Sequence, residues 1–250
     1  MTPPETLIHD TADLLVHATA ARLVTRLTDL QAQGRVPALA LTGGSIANEV
    51  YRAVADSPAQ GAVDWSRVDL WWGDERFVPA EDDQRNALQA RRVMLDRLPV
   101  DPARVHEMPA SDGPFGDDVD AAAAGYAEEL RRAIPAEEGA QTPLFDLILL
   151  GIGEDGHCAS LMPGQPTVHD ERSVVPVRNS PKPPPTRISL SMGMLNRARE
   201  IWWIASGKSK ATPVSRALDP STAIDEVPAA GPKGLDRTLW LLDREAAAAL

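Results

Sequence analysis

Residues 144–151 read LFDLILLG, a nearly continuous apolar run that ends at a glycine. Such a run is typical of a central strand that is covered on both faces, as in a parallel sheet between layers of helices. On either side of it along the chain, short strand-like runs alternate with helical patterns. This alternation predicts an α/β fold, with a mainly parallel sheet and helices on both of its faces.

The other predicted elements follow from apolar periodicity and from glycine and capping residues. The first helix covers 10–34, with Asp10 as its N-cap and Gly34 as its stop. Further helices are predicted at 45–56, 86–95, 117–134 and 210–219. Further strands are predicted at 38–44, 68–74, 104–109, 173–177, 187–191, 200–205 and 238–242. No internal repeat or long linker separates them, so we expect residues 1–250 to form a single domain.

Composition and charge limit the classes of partner. The 250 residues carry a formal net charge of −11, whereas binding to nucleic acids and anionic membranes requires a dense patch of Lys and Arg. The N-terminus lacks a signal-peptide pattern, and no stretch approaches the roughly 18 apolar residues of a membrane span. Cys158 is the single cysteine, so an intrachain disulfide is excluded. We expect a cytoplasmic protein that binds neither nucleic acid nor membrane.

Three polar clusters follow predicted strands, and the carboxyl ends of parallel strands gather at one edge of a sheet. The first is LTGGSIANEVY (41–51). Gly43 and Gly44 permit a tight turn, and Ser45 with the helix N-terminus behind it offers donors to an anion such as phosphate. The alternative is a plain strand-to-helix turn with Ser45 as the N-cap.

The second cluster is WWGDERFVP (71–79), in which three charged residues follow an apolar strand. Arg76 would pair with a substrate oxygen, and Asp74 would orient the substrate or the arginine. The alternative is a solvated loop whose charges neutralise one another.

The third cluster is GIGEDGHCASLMPG (151–164), with three glycines in its first six residues. His157 would take a proton near neutral pH, and Asp155 would hydrogen-bond its ring and fix the tautomer. The alternative for His157 is a structural role in capping the loop. Cys158 is interpreted as a small core residue rather than a nucleophile.

Cations further along the chain would suit a phosphate. Arg187 begins a predicted strand, and Lys208 and Lys210 stand where a helix begins, although solvated charge is the usual fate of a lysine. The five histidines form no HxH or HxxxH pair, which argues against a metal site.

The motifs LTGGS (41–45), WWGDERFVP (71–79), GIGEDGHCASLMPG (151–164), SPKPPPTRISL (180–190) and GKSKA (207–211) together resemble the 6-phosphogluconolactonase family in order and spacing. The likeness spans most of the chain. It implies a Rossmann-like domain that hydrolyses 6-phospho-D-glucono-1,5-lactone to 6-phospho-D-gluconate in the oxidative pentose phosphate pathway. It also implies a small sugar-phosphate lactone as partner, no cofactor and no metal. We expect a monomer or a weak homodimer.

The resemblance also implies residue roles. Four residues would act at the lactone: His157 as the base, Asp155 beside it, and Asp74 and Arg76 near the sugar ring. Five would hold the 6-phosphate: Gly43, Gly44, Ser45, Arg187 and Lys210. Lys210 is preferred to Lys208 because it directly precedes the alanine that opens the helix. Arg76 or the loop N–H groups of 153–156 would stabilise the oxyanion.

Two other functions stay open from the sequence. The first is the related deaminase of glucosamine 6-phosphate, whose members typically have Glu before the proline at 163 and Tyr after the Asp-Glu pair at 74–75. This chain has Met162 and Arg76 at those places. The second is a non-catalytic sugar-phosphate sensor, which loss of His157 or Asp155 would have favoured.

Overall fold

Two sheets flanked by helices make up the computed structural model, which describes residues 3–134 and 144–250. The strands are β1 (Glu5–His9), β2 (Ala38–Leu41), β3 (Asp69–Trp72), β4 (Asp74–Arg76), β5 (Phe145–Leu150), β6 (Val174–Val177), β7 (Arg187–Leu190), β8 (Ala198–Ala205) and β9 (Arg237–Asp243). The helices are α1 (Ala12–Ala32), α2 (Ser45–Asp56), α3 (Asn86–Val93), α4 (Val119–Ala133), α5 (Met192–Leu195) and α6 (Ala211–Leu218).

The larger sheet has the order β1-β9-β8-β5-β2-β3, and all of its strand pairs are parallel. Strand β5, which contains the apolar run quoted above, lies inside this sheet and is buried at every residue. Successive side chains of a strand point to opposite faces of the sheet, so burial of every residue of β5 requires that both faces are covered. The predicted α/β fold with a mainly parallel sheet is therefore confirmed.

The order of the strands creates a crevice beside β2. The chain leaves β2 toward β3 on one side of it, whereas it leaves β5 toward β8 on the other side. The loops that follow Leu41 and Leu150 therefore run in opposite directions from neighbouring strands. Such a topological switch point is where open α/β sheets bind ligands, at the carboxyl ends of the strands.

A second, antiparallel sheet has the order β4-β7-β6. The strands predicted at 173–177 and 187–191 exist, but they form this sheet and not the parallel one. Only Gly73 separates β3 from β4, and its carbonyl accepts a hydrogen bond of 2.9 Å from Leu190 N–H. One residue cannot form the long crossover that a parallel partner needs, so the chain enters a different sheet.

Other sequence predictions were wrong at particular elements. Residues 104–109 form no strand, because only Val105 makes a single bridge, to Leu70, between flanking prolines that lack an N–H donor. Thr11, not Asp10, caps α1, because its Oγ1 accepts from Leu14 N–H at 3.2 Å.

The edge strand β1 was not predicted. Its five residues mix polar and apolar side chains, and the strand with which it pairs in the described part of the chain, β9, lies more than 200 residues away. Within the described residues, no helix is long and apolar enough to cross a membrane.

Candidate active site

A cleft of about 420 Å³ opens at the switch point between β2 and β5. Eight of the nine predicted site residues line it: Gly43, Gly44, Ser45, Asp74, Arg76, His157, Arg187 and Lys210. Asp155 lies behind His157, to which it is hydrogen-bonded. Lys208, the alternative to Lys210, is not among the residues that line the cleft. The sheet thus brings together segments that are far apart in sequence.

The glycine-rich loop after β5 presents an imidazole that is held by a carboxylate. His157 Nδ1 lies 2.5 Å from Asp155 Oδ1, and the side chain of His157 is only 17% exposed. Burial alone would raise the pKa of Asp155, but the hydrogen bonds and charges of His157 and Lys182 hold it far below its ordinary value. An ionised Asp155 holds Nδ1 protonated, which leaves Nε2 to exchange a proton.

The same loop is closed by its own backbone. Gly153 N–H donates to the carbonyl of His157 at 2.9 Å, and Gly156 N–H donates to the carbonyl of Gly153 at 3.0 Å. Gly156 has a φ of +87°, which favours glycine. Two of the loop N–H groups that were predicted for an oxyanion are therefore committed to the loop itself.

The wall formed by β4 is buried, so the alternative of a solvated loop is wrong. Asp74 is 6% exposed, and its Oδ2 accepts a hydrogen bond of 2.6 Å from Ser160 Oγ. Glu75 is fully buried and accepts from the N–H groups of Arg76, Asn86 and Ala87 at 2.7–2.8 Å. Glu75 thereby caps α3, and burial raises the pKa of its carboxyl despite Arg85.

Arg76 reaches the cleft from the end of β4. Its Nη1 donates to the carbonyl of Gln84 at 2.5 Å, which fixes the guanidinium in place. Its Nε is buried and has no hydrogen-bond partner among residues 3–134 and 144–250. The guanidinium as a whole lines the cleft, where it would offer a fixed cation to a ligand oxygen.

The turn after β2 is shaped to receive an anion. Gly44, with a φ of +106°, is the N-cap of α2 and provides no side-chain cap, so the alternative of Ser45 as N-cap is wrong. Ser45 is the first helical residue. Asn86 Oδ1 lies so close to Gly43 that an added Cβ would be 1.9 Å from it. Gly43, Gly44 and Ser45 line the cleft at the start of α2, and a helix N-terminus is a place where proteins bind anions.

Two further predicted cations reach the cleft. Burial lowers the pKa of both Arg187 and Lys210, the latter lying directly before α6 as predicted. With Arg76 and Lys182, four cations face one cleft in a chain of net charge −11. The carboxylates of Glu49, Asp74 and Glu154 also line the cleft, so an anionic ligand would be bound by individual cations within it and not by an overall positive charge.

Several residues of the cleft were not predicted as site residues. Lys182 and Asn86 line it, and Ser160 holds Asp74. Lys182 lies inside SPKPPPTRISL (180–190), a motif that carried the resemblance, but was not singled out there. Ser160 lies inside GIGEDGHCASLMPG (151–164), and nothing in that motif indicated its contact with Asp74, which is 86 residues away.

Two other kinds of chemistry find no support here. Cys158 is fully buried, and burial raises the pKa of its thiol well above the ordinary value, which suits the predicted core role rather than that of a nucleophile. Among the described residues there is no cluster of His, Cys, Asp and Glu side chains that would hold a metal ion.

Comparison with known proteins agrees with this geometry. A family model described as glucosamine-6-phosphate isomerases/6-phosphogluconolactonase matches residues 10–240. The 6-phosphogluconolactonase of Streptomyces coelicolor is 51% identical over 248 residues, which are 99% of this chain and 95% of that protein. That of Mycobacterium tuberculosis is 45% identical over 96% of this chain and 95% of its own length.

A solved structure shows the same fold. The 6-phosphogluconolactonase of Trypanosoma brucei superposes with a TM-score of 0.87 and 27% identity, and all of both chains is covered. Because the family match and the identities extend over nearly the whole sequence, this chain belongs to the glucosamine-6-phosphate isomerase/6-phosphogluconolactonase family.

Proposed function

We propose that this protein hydrolyses 6-phospho-D-glucono-1,5-lactone to 6-phospho-D-gluconate, the lactone-opening step of the oxidative pentose phosphate pathway. The observation that carries the proposal is the pair of His157 and Asp155, which shares one cleft with the cations Arg76, Arg187 and Lys210. The pair suits ester hydrolysis, and the cations suit a phosphorylated substrate. Relatives with 51% and 45% identity bear the name of this activity.

In this proposal His157 activates water. Nε2 removes a proton from a water molecule as the oxygen attacks the C1 carbonyl, and a tetrahedral oxyanion forms. When the carbonyl re-forms, the bond from C1 to the ring oxygen breaks, and the imidazolium returns the proton to that oxygen. The enzyme regains its starting state, and the net change is addition of one water. Asp155 keeps Nδ1 protonated and stabilises the transient imidazolium.

Arg76 is the group that we assign to the oxyanion. Its guanidinium is held by Gln84 and lines the cleft. A fixed cation placed where negative charge develops stabilises the transition state more than the ground state. Asp74, held by Ser160, would accept a hydrogen bond from a sugar hydroxyl.

The 6-phosphate would bind at the other end of the cleft. The turn at Gly43, Gly44 and Ser45 offers N–H groups and a hydroxyl at the start of α2, and Lys210 and Arg187 supply charge. Arg187 contributes through its remaining Nη1, because Nε and Nη2 donate to loop carbonyls. Binding at this end would orient C1 toward His157.

The experiment that tests the function is a lactonase assay, corrected for spontaneous hydrolysis. We expect the wild type to accelerate hydrolysis and His157→Asn to lose at least a hundredfold in kcat, the scale of general base catalysis. The matched control is His169→Asn, because His169 also contacts a carboxylate, that of Asp225 at 2.7 Å, but lies outside the cleft.

Three outcomes would count against the proposal. If the wild type does not accelerate hydrolysis, the proposed activity is wrong. If His157→Asn and His169→Asn lose the same amount of kcat, the proposed role of His157 is wrong. Release of ammonia from glucosamine 6-phosphate would favour the deaminase, whereas binding of 6-phosphogluconate without turnover would favour a sensor.

The remaining expectations form part of the same proposal. The partner is a small sugar-phosphate lactone, the net charge of −11 disfavours nucleic acid and anionic membranes, and the protein acts as a monomer or weak homodimer. We place it in the cytoplasm, where its single cysteine would stay reduced.

A further inference from the structure

The two tyrosines of this chain, Tyr51 on α2 and Tyr126 on α4, are fully buried. Each hydroxyl bonds to the backbone near the end of a strand of the parallel sheet. A hydroxyl group donates one hydrogen bond and accepts others, so it can bond to both the N–H and the carbonyl of one residue. Burial raises the pKa of both hydroxyls above the ordinary value, so each keeps the proton that it donates.

Tyr51 holds the residue at which the chain leaves β2. Thr42 N–H donates to Tyr51 Oη at 2.9 Å, and Tyr51 Oη donates to the carbonyl of Thr42 at 2.8 Å. The registered pairing of β2 ends at Ala40 with β5 and at Leu41 with β3, so Thr42 lies beyond both ladders. The hydroxyl therefore supplies the donor and the acceptor that a neighbouring strand supplies elsewhere in the sheet.

This contact fixes the start of the turn that leads into α2. Thr42 is directly followed by Gly43 and Gly44, after which α2 begins at Ser45. Because Tyr51 lies on α2, its hydroxyl ties the helix back to the strand end. Thr42 and the three turn residues line the cleft, whereas Tyr51 does not.

The next residue of the turn is packed by a side chain from α3. Asn86 Nδ2 donates to the carbonyl of Asp74 at 3.0 Å, and its Oδ1 lies so close to Gly43 that an added Cβ would be 1.9 Å away. The turn is thus held at Thr42 by hydrogen bonds and at Gly43 by packing. Of these two restraints, the hydroxyl of Tyr51 can be removed without changing a residue that lines the cleft.

We propose that Tyr51 is a positioning residue for the 6-phosphate, because its hydroxyl fixes Thr42 and thereby sets the place of Gly43, Gly44 and Ser45. The inference rests on the proposed function, which assigns the phosphate to this turn. An anion bound at a helix N-terminus depends on where the backbone groups lie. Without the hydroxyl, the N–H and carbonyl of Thr42 lose their partner inside the protein and would shift to find others.

Tyr126 offers a matched control. Trp72 N–H donates to Tyr126 Oη at 2.9 Å, and this oxygen lies 3.3 Å from the carbonyls of both Trp72 and His106. The contact is of the same kind and equally buried, but it holds the end of β3. Neither Tyr126 nor Trp72 lines the cleft. Tyr126→Phe therefore removes the same atom as Tyr51→Phe at a place away from the turn.

The first test is calorimetric titration with the product, 6-phosphogluconate. Each Phe variant loses a buried hydrogen-bond partner, so each should lower Tm by roughly 2 to 8 °C. Only Tyr51→Phe should weaken binding, with a Kd about tenfold higher, because the phosphate donors are displaced. Equal weakening in both variants overturns the inference and leaves Tyr51 a purely structural residue. An unchanged Kd in Tyr51→Phe overturns it as well.

Kinetics separate the two ends of the substrate. In Tyr51→Phe, KM for the phosphorylated lactone should rise about tenfold, whereas kcat/KM for unphosphorylated gluconolactone should stay at the wild-type value. A similar loss on both lactones overturns the inference, because it places the effect at the lactone ring. If the wild type binds 6-phosphogluconate without turnover, the proposed function fails, and the calorimetric comparison still decides the role of Tyr51.

A third measurement does not require Tyr51→Phe to fold. Wild-type protein labelled with fluorotyrosine gives two fluorine NMR signals, and their assignment follows from the signal that is lost in Tyr126→Phe. Saturation with inorganic phosphate should shift the signal of Tyr51 and leave that of Tyr126 in place. A Tyr51 signal that does not move at saturation overturns the inference.

Discussion

At the scale of the residue, Gly153 in the glycine-rich loop must be a glycine because its neighbours leave no room for a side chain. A Cβ on Gly153 would lie 1.9 Å from His157 Nδ1 and 2.4 Å from Asp155 Oδ1, so this glycine gives the pair its room. The φ of Gly153 is not positive, and the backbone itself would accept another residue. The sequence predicted the pair because its members are two residues apart, whereas Lys182, 25 residues beyond His157, gave no such signal.

Gly153→Ala should therefore reduce activity more than stability. The added methyl group displaces His157 or Asp155, and a misplacement of about 1 Å costs on the order of 100-fold in kcat/KM. Gly61→Ala is the control, because open space surrounds its added Cβ and Gly61 lies outside the cleft. Lactonase kinetics and thermal melting of both variants check this. Full activity in Gly153→Ala would contradict the packing argument.

At the scale of elements, one histidine joins α4 to β3. The ring of His106 stacks on Trp71 with centroids 3.8 Å apart and an interplanar angle of 9°. His106 Nδ1 lies 2.7 Å from Glu129 on α4, and Nε2 lies 3.8 Å from Asp69 on β3. Burial alone would lower the pKa of His106, but hydrogen bonds and charges from these two carboxylates raise it to about 9.

This raised pKa predicts a loss of stability in alkali. The folded state binds the proton of His106 more tightly than the unfolded state, whose histidine has a pKa of about 6.5. The stabilisation is thus fully present below about pH 6.5 and disappears as pH rises through about 9, a change of roughly 2 to 3 kcal/mol. Urea unfolding at pH 6 and 9.5 measures it.

The variant for this measurement is His106→Gln, which should lack that part of the pH dependence. His169→Gln, at an exposed site, should keep it. If the free energy of unfolding of His106→Gln falls with pH as steeply as that of the wild type, the contacts of His106 with Glu129 and Asp69 do not cause the loss of stability in alkali. The segment that contains His106 was wrongly predicted as a strand, and no sequence pattern indicated this contact.

At the scale of the molecule, the cleft gathers cations in a chain that is acidic overall. The net charge is −11, yet four cations from β4, the 180–186 loop, β7 and the start of α6 converge at one end of the sheet. The buried residues of both sheets form one apolar cluster. We propose from this shared core that the chain is a single domain.

Substitution of Lys210 should separate phosphate binding from lactone chemistry. Lys210→Met removes a charged partner of phosphate, so KM for the phosphorylated lactone and the inhibition constant of inorganic phosphate should rise about tenfold or more. The kcat/KM for unphosphorylated gluconolactone should stay the same. Lys208→Met, the neighbouring control, should leave all three unchanged. Equal effects on the two lactones would contradict a role at the phosphate.

The sequence by itself determined the local features of this protein. Apolar periodicity and glycine turns predicted β5 and α2, because these elements depend on neighbours within a few residues along the chain. The alternation of strands with helices predicted a mainly parallel sheet but not the order of its strands. The motifs around Asp74 and His157 are short stretches too, and they predicted residues that line the cleft.

Only the tertiary structure decided which distant groups meet. Strand β1 needs β9, Asp74 needs Ser160, and the pair of Asp155 and His157 meets Lys182 through a loop anchored by Arg187. These contacts join residues 25 to more than 200 positions apart, and sheet order, not local pattern, brings them together.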